Sequence, residues 1–282
     1  MSPSVQERLF DVRGTRALVT GAAGGLGFAM AEVLADCGAR VTLADVDADR
    51  LEASTQALRA RGGAARSFVV DVSDEQRVQA MVEDAVEAEG GLDVVFANAG
   101  IASVPGFAVE GGQRIETVES TDWNRVLRVN LDGVLFTMKH AAAAMKRQGS
   151  GRIVVTSSNA GLRAEPEVCY GYVAAKAAIV NVVRQAALEL APHGVHVNAI
   201  CPGPFKGTRI GGGVTENPTP ELEHMWARTV PLGRMGNPEE LKGLVLLLAS
   251  PASSFMTGAA YLVDGGTMVQ AGSTPAPVSD RH

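Results

Sequence analysis

The chain has 282 residues, of which 46% are hydrophobic and 20% charged, a composition typical of a globular domain with a full core. A net charge of −6, without a block of like charges, argues against a nucleic acid or an anionic membrane as partner. Three scattered cysteines argue against a disulfide framework or a paired metal site, and the lack of a membrane-length apolar run or leader predicts a cytoplasmic protein.

Short runs of β-branched residues alternate along the chain with longer segments of helical spacing. Strands are predicted at residues 16–20, 40–44, 66–70, 92–97, 152–156, 195–200 and 260–263. Helices are predicted between them, most clearly at 27–36, 48–61 and 75–89. This alternation predicts an α/β fold, a Rossmann-type doubly wound parallel sheet with helices on both faces. We expect a single domain over residues 1–282, with flexible ends at 1–11 and 270–282.

Two connections are longer than the rest, and both follow predicted strands. They are residues 101–121 and 202–229, and the second contains a run of three glycines. Parallel strands place these connections at the carboxyl edge of the sheet, where open α/β sheets bind ligands. We therefore predict that residues 202–229 form a flap over a substrate, with residues 162–171 as a further wall.

A glycine-rich turn follows the first predicted strand and leads into a helix. The residues predicted to contact a cofactor here are Gly21, Gly25, Leu26 and Gly27. Glycines let the backbone approach a pyrophosphate, and the N-terminus of the helix supplies unpaired N–H donors. A glycine turn alone also joins many strands to helices, and the spacing departs from the GxGxxG pattern.

Asp45 lies at the tip of the second predicted strand, where a carboxylate can bind the ribose hydroxyls of an adenosine. The extra phosphate of NADP, at about 5 Å from Asp45, would be repelled by roughly 3 kcal/mol per charge. Ala22, Ala23 and Val46 supply no compensating positive charge, so we predict NAD as the cofactor. Asp45 could instead cap the next helix, but Asp47 is the better candidate for that cap.

Polar and small residues also end the third and fourth predicted strands. Each group alone is typical of a strand-end turn, whereas together with the glycine turn they would line one cleft. These residues are Asp71, Val72, Asn98, Ala99 and Gly100.

Tyr172 and Lys176 are four residues apart in a helical segment, so both side chains lie on one face. A nearby ammonium would lower the pKa of the phenol and make Tyr172 usable as a general acid and base. Such pairs are also frequent by chance. Ser158 follows the fifth predicted strand and could bind a substrate oxygen, and Asn130 in an apolar helix could hold a water beside Lys176.

This ordered set of motifs resembles the short-chain dehydrogenase/reductase family over residues 12–270. The matching features are TGxxxGxG at 20–27, the strand-tip aspartate, NAG at 98–100, YxxxK at 172–176, Pro-Gly at 202–203 and VDGG at 263–266. The resemblance implies a seven-stranded doubly wound sheet, a homotetramer and a catalytic tetrad of Asn130, Ser158, Tyr172 and Lys176. It also implies that Asn130 anchors a proton-relay water.

The same resemblance implies that Lys176 and Tyr172 also contact the cofactor. Lys176 would hold the nicotinamide ribose, and Tyr172 would lie at the nicotinamide end. Pro202, Gly203 and Phe205 match the segment that lies against the nicotinamide.

Two spacings depart from the family pattern. Ser158 precedes Tyr172 by fourteen residues rather than thirteen, and strict counting would select Asn159. We keep Ser158, because the Ser-Asn-Ala-Gly stretch that it begins matches the family. Tyr170 lacks a lysine four residues later, and Thr208 comes one place late for the expected contact with the cofactor amide.

We therefore predict an NAD-dependent alcohol dehydrogenase or ketone reductase, acting on a small molecule that is a neutral and fairly hydrophobic secondary alcohol or cyclic ketone. The alternatives are an NAD-binding sensor on the same fold and a lyase or epimerase that retains NAD. Arg163 and Glu165, in the loop after Ser158, could touch the substrate, but we expect them to be solvated loop charges.

Overall fold

The computed structural model describes residues 4–103, 113–165, 168–210 and 215–269. The predicted flexible end at 270–282 lies outside the described residues, as do parts of the connections at 101–121, 162–171 and 202–229. Among the described residues, no helix has the length and apolar character needed to cross a bilayer.

Seven parallel strands form one sheet in the order β3-β2-β1-β4-β5-β6-β7. Chain order reverses between β1 and β4, which creates a crevice at the carboxyl edge of the sheet. The predicted doubly wound parallel sheet is confirmed, and β6 runs two residues further than predicted. The strands are β1 Arg16–Thr20, β2 Arg40–Asp45, β3 Ala64–Val69, β4 Val94–Ala97, β5 Gly151–Thr156, β6 Val195–Pro202 and β7 Ala260–Val263.

Helices cover both faces of the sheet, and each face has its own apolar core. Leu18 and Val19 are neighbours in β1, yet they belong to opposite cores because successive strand residues point to opposite faces. The helices are α1 Val5–Leu9, α2 Gly25–Asp36, α3 Ala48–Ala60, α4 Glu75–Glu89, α5 Ser120–Leu127, α6 Gly133–Gln148, α7 Tyr170–Leu190, α8 Pro220–Ala227 and α9 Lys242–Ala249. A π-helical turn, Arg128–Asp132, joins α5 to α6, and short 3₁₀ turns occur at Ile115–Thr117, Asn159–Gly161, Ala191–His193, Pro238–Leu241, Pro251–Ser253 and Thr267–Val269.

The N-terminal segment contains a short helix where the sequence led us to expect a flexible end. Ser4 and Glu7 form a capping box at the start of α1: the Glu7 backbone N–H donates to the Ser4 hydroxyl, and the Ser4 backbone N–H donates to the Glu7 carboxylate. No residue of α1 is buried. Local capping, rather than packing against the core, therefore accounts for this helix.

Gly27 is required by packing in the first turn of α2. A Cβ at this position would overlap the carbonyl oxygen of Gly21 and approach the Asn98 side chain at 2.6 Å. We expect Gly27→Ala to destabilise the fold by about 1–3 kcal/mol, because backbone in a packed turn cannot move aside cheaply. Urea denaturation of the purified variant measures this change.

Gly243→Ala is the matched control, because an added Cβ at this exposed position of α9 meets nothing within 4 Å. This substitution should stabilise the fold by about 0.5–1 kcal/mol through helix propensity. Equal stability of the Gly27 variant and the wild type would contradict the packing argument.

Candidate active site

A hydrogen-bonded clamp joins the carboxyl ends of three adjacent strands. The hydroxyl of Thr20 accepts from the backbone N–H groups of Asn98 at 3.0 Å and Ala99 at 3.1 Å. The amide of Asn98 donates to the Thr20 carbonyl at 3.1 Å, and its oxygen accepts from the Thr156 hydroxyl at 3.0 Å. Asn98 therefore fixes β1, β4 and β5 relative to one another, and its side chain shapes the cleft.

A cavity of about 980 Å³ runs along this edge of the sheet. Tyr172, Lys176 and Ser158 line one part of it, and the glycine turn and Asp45 line another. Of the residues predicted for the site, Asn130 is the exception that does not line the cavity. Those that do are Gly21, Gly25, Leu26, Gly27, Asp45, Asp71, Val72, Asn98, Ala99, Gly100, Ser158, Tyr172, Lys176, Pro202, Gly203 and Phe205.

The glycine turn fits the pyrophosphate of a dinucleotide. Gly21 has a φ of +67°, and a Cβ there would come within 2.8 Å of the Ala99 Cα. The N-cap residue of the twelve-residue helix α2 is Gly24. Because glycine has no side chain, no side-chain cap binds the first N–H groups of this helix. Gly24 and Gly25 line the cavity, which places these donors and the positive end of the helix dipole beside it.

Asp45 ends β2 and is held in place by two backbone donors. Its carboxylate accepts from the N–H of Ala23 at 3.0 Å and from that of Asp47 at 3.1 Å. Asp47, rather than Asp45, caps α3 by accepting from the Arg50 N–H at 3.2 Å, as the sequence indicated. Asp45 thus remains oriented toward the cavity that it lines.

Two arginines near Asp45 escaped the sequence analysis. Arg209, in the flap, pairs with Asp47 at 3.0 Å, and Arg50 of α3 pairs with Glu216 of the flap. Positive charge is therefore present close to Asp45, contrary to the expectation from its sequence neighbours, but it is paired with carboxylates. Residues so far apart in the chain gave no local signal for this network.

Tyr172 and Lys176 lie on the buried face of α7. They are 6% and 2% exposed, and the Lys176 Nζ lies 5.5 Å from the centroid of the Tyr172 ring. The Lys176 Nζ donates to the Thr156 carbonyl at 2.8 Å. The helical spacing therefore places phenol and ammonium together, as predicted.

Burial, rather than the lysine charge, dominates the protonation of this pair. Burial raises the pKa of Tyr172 to about 12, and its hydrogen bond with Ser158 opposes that rise. Burial also lowers the pKa of Lys176 to about 8. The predicted lowering of the Tyr172 pKa by Lys176 is therefore wrong for this structure, because desolvation penalises the charged form of both groups.

Ser158 contacts Tyr172 despite the fourteen-residue spacing. Its hydroxyl shares a hydrogen bond with the phenol, donates to the Asn159 Oδ1 at 3.1 Å and accepts from the Ala160 N–H at 3.2 Å. Asn159, which strict counting would select, also lines the cavity and accepts the hydrogen bond from Ser158.

Asn130 is fully buried in the π-helical turn, and its side chain is committed to the backbone of Ile101. The Asn130 Oδ1 accepts from the Ile101 N–H at 2.7 Å, and its Nδ2 donates to the Ile101 carbonyl at 2.7 Å. A Cβ on Gly100 would lie 3.4 Å from the Asn130 Oδ1 and 3.5 Å from the Lys176 Nζ. The amide therefore anchors the chain after β4, and a water held by Asn130 beside Lys176 stays a prediction.

Glu165 was expected to be solvated, and that expectation is wrong. It is 7% exposed, lines the cavity, and accepts from the Asn159 Nδ2 and the Arg163 Nε, both at 2.9 Å. Trp226 and Met235 add apolar wall to the same cavity. Nothing in the local sequence distinguishes this carboxylate from an exposed loop residue, since tertiary contacts alone bury it.

The flap contacts the start of α2. A Cβ on Gly25 would lie 3.3 Å from the Cα of Thr208, whose hydroxyl shares a 2.7 Å hydrogen bond with that of Thr215. Thr208 lines the cavity, although it comes one residue later in the sequence than the threonine of the family pattern.

Comparisons with known proteins agree with this geometry. Residues 21–268 match the family described as enoyl-(acyl carrier protein) reductase. The chain is 40% identical to cis-4-hydroxycyclohexanecarboxylate dehydrogenase of Sinomonas cyclohexanicum, over 89% of this chain and 95% of that protein. It superposes on a short-chain type dehydrogenase/reductase from Mycobacterium marinum with a TM-score of 0.83 and 36% identity, over 95% of this chain and 100% of the other. A gluconate 5-dehydrogenase from Burkholderia cenocepacia, in complex with NADP and tartrate, has a TM-score of 0.83 and 29% identity, over 93% and 98% of the two chains.

Burial of Lys176 predicts a measurable cost to the fold. A pKa lowered from 10.5 to about 8 corresponds to about 3 kcal/mol of destabilisation below pH 8, where both the folded and the unfolded state carry the proton. The cost fades as pH rises toward 10.5, since the folded state releases its proton first. Lys176→Met should therefore stabilise the cofactor-free protein at pH 7 by about 2 kcal/mol, after loss of the Thr156 hydrogen bond.

Urea denaturation at pH 7 and pH 10 measures this effect, which should be smaller at the higher pH. Lys139→Met is the control, because Lys139 is an exposed lysine paired with Glu75, and its removal should leave the pH dependence unchanged. A Lys176 variant that is less stable than the wild type at pH 7 would contradict the burial argument.

Proposed function

Because this chain belongs to the short-chain dehydrogenase/reductase family of oxidoreductases, we propose that it transfers a hydride between NAD(H) and a secondary alcohol or ketone. The observation that carries the proposal is the meeting of Tyr172, Ser158 and Lys176 in one cavity with the glycine turn and Asp45. The similar dehydrogenases named above act on cis-4-hydroxycyclohexanecarboxylate and gluconate, which both carry secondary alcohols. Their names support a small-molecule secondary alcohol as the substrate class of this chain as well.

The residues at the Tyr172 end divide the proton chemistry among them. A bound nicotinamide would accept or supply the hydride. Ser158 positions the substrate oxygen, and the phenol of Tyr172 takes or gives its proton. With a pKa of about 12, Tyr172 is a proton donor at neutral pH, which suits ketone reduction. For alcohol oxidation the phenolate must form, and the hydrogen bond from the hydroxyl of Ser158 favours it.

The remaining predicted contacts complete the binding of the cofactor. The N–H groups at the start of α2 would hold the pyrophosphate, Asp45 the adenosine ribose, and Lys176 the nicotinamide ribose. Asp71 and Val72 would lie beside the adenosine, and Pro202, Gly203 and Phe205 beside the nicotinamide; all five line the cavity. We also propose a single domain, a homotetramer and a cytosolic location, on the resemblance and the composition alone.

Asp45 supports NAD rather than NADP as the cofactor. Its carboxylate would repel the additional phosphate, and the charges of Arg50 and Arg209 are already paired with Glu216 and Asp47. The NADP complex of the gluconate dehydrogenase makes this choice worth measuring for this chain.

Tyr172→Phe should lower turnover by a factor of about 10²–10⁴, because it removes the hydroxyl that we propose exchanges a proton with the substrate. The affinity for NADH should remain within about twofold of the wild type, because the ring is retained. Absorbance at the nicotinamide band with a panel of secondary alcohols and ketones measures turnover, and NADH fluorescence measures binding.

Tyr170→Phe is the matched control. This half-exposed tyrosine lies two residues before Tyr172 in α7 and has no lysine four residues after it. It should retain full activity. A fully active Tyr172 variant would refute the mechanism, and tight NADH binding without turnover across the panel would favour a sensor instead.

Asp45→Ser should reduce the preference for NADH over NADPH. We expect the wild type to prefer NADH by about a hundredfold, from roughly 3 kcal/mol of repulsion, and the variant to lose most of that ratio. Isothermal calorimetry with both cofactors measures it. Asp49→Asn removes an exposed charge at the start of α3, four residues after Asp45, and should leave the ratio unchanged. A wild type that binds NADPH as tightly as NADH would exclude a role of Asp45 in selecting the cofactor.

A further inference from the structure

Among the described residues that line the cavity close to Ser158, Glu165 is the one with a carboxylate, and it is held rigidly. Its side chain is 3% exposed. The Asn159 Nδ2 and the Arg163 Nε both donate to Oε1, each at 2.9 Å, and Arg163 also donates to the Thr267 carbonyl. These bonds fix the carboxylate in one orientation, and none of the described residues donates to Oε2.

The same carboxylate is two hydrogen bonds from the serine that would meet the substrate oxygen. Asn159 donates to Glu165 through Nδ2, which directs its Oδ1 toward Ser158, and the Ser158 hydroxyl donates to that Oδ1 at 3.1 Å. The Glu165 carboxylate is therefore held at a fixed separation from the Ser158 hydroxyl. Such a separation discriminates between substrates that carry two polar groups and those that carry one.

Apolar side chains form the wall of the cavity at its Tyr172 end. Val168, Trp226 and Met235 line the cavity and pack in one cluster with Tyr172. In such surroundings it costs free energy to leave the acceptor Oε2 without a hydrogen-bond donor. Binding of a ligand group that donates a hydrogen bond to Oε2 is therefore favoured, and an anionic group is repelled. An ionised carboxylate makes stronger hydrogen bonds than a neutral acceptor does.

We propose that Glu165 is a specificity-determining residue that accepts a hydrogen bond, through Oε2, from a second hydroxyl of the substrate. The substrate class is therefore a neutral diol or polyol rather than a simple alcohol. This inference rests on the proposed alcohol oxidation and adds a recognition site to it.

The test compares matched pairs that differ in one proton donor. Each pair is a diol and its monomethyl ether: butane-2,3-diol with 3-methoxybutan-2-ol, pentane-2,4-diol with 4-methoxypentan-2-ol, and cyclohexane-1,4-diol with 4-methoxycyclohexanol. With NAD present, the wild type should oxidise the diol of at least one pair with a kcat/KM about tenfold or more above that of its ether. The ether retains the reacting hydroxyl and cannot donate to Oε2.

Glu165→Gln should abolish this preference. The donors Asn159 and Arg163 hold the amide oxygen in the place of Oε1, so the new NH₂ group takes the place of Oε2 and cannot accept a hydrogen bond. The diol-to-ether ratio should fall about tenfold, while activity on the ether and the affinity for NADH remain near those of the wild type. Arg163→Gln is the control: it also breaks the ion pair but keeps the carboxylate, so it should retain the diol preference.

Three outcomes would overturn the inference alone while alcohol oxidation stands. The wild type could oxidise the ethers as well as the diols, Glu165→Gln could keep the diol preference, or both variants could lose it together, which would indicate a purely structural ion pair. A wild type that oxidises no alcohol of the panel would instead refute the proposed function, and this inference with it.

Discussion

The site is organised around an ammonium group that has lost almost all of its water. Lys176 is 2% exposed, and its Nζ donates to the carbonyl of Thr156 at the end of β5. Further contacts fix the backbone of the same residue: the Ser157 hydroxyl donates to the Lys176 carbonyl at 2.8 Å, and Gly161 packs so closely on that carbonyl that a Cβ would come within 2.5 Å of it. Burying a charge is among the most costly arrangements in a protein, which lowers the pKa of Lys176. The Nζ of this lysine lies 5.5 Å from the centroid of the Tyr172 ring.

From Tyr172 a continuous series of polar contacts runs outward through the loop after β5. Ser158, Asn159 and Glu165 follow one another by hydrogen bonds, and Arg163 joins the end of the series to the Thr267 carbonyl. Each hydrogen bond in the series restricts the direction of the next, so Ser158 and Glu165 are joined through Asn159 at a fixed separation.

The other end of the cleft is held by weaker interactions. The pairs of Arg209 with Asp47 and of Arg50 with Glu216 join the flap to α3, and both arginine side chains are at least 41% exposed. Exposed ion pairs contribute roughly 0–1 kcal/mol each. Exposed ion pairs thus hold the flap to α3 near Asp45, whereas buried hydrogen bonds hold Lys176 and Ser158.

The sequence by itself determined the architecture and most of the cleft. Alternating periodicities fixed the parallel sheet, and the strand ends then had to bring Gly21, Asp45 and Asn98 to one edge, because parallel strands point the same way. The four-residue spacing of Tyr172 and Lys176 determined that they share a face, and the local preference of Asp47 for a helix cap was also visible. These features depend on periodicity and local chemistry, which any stretch of sequence contains.

Burial and pairing across long distances were decided only by the tertiary structure. Whether the phenol would gain or lose acidity depended on how much water the fold removes, and this reversed the expectation for Tyr172. The amide of Asn130 was taken up by Ile101, 29 residues away, and Glu165 was drawn inward by Asn159 and Arg163. Solvent exposure and contact between remote segments are properties of the packed chain, so no local pattern in the sequence records them.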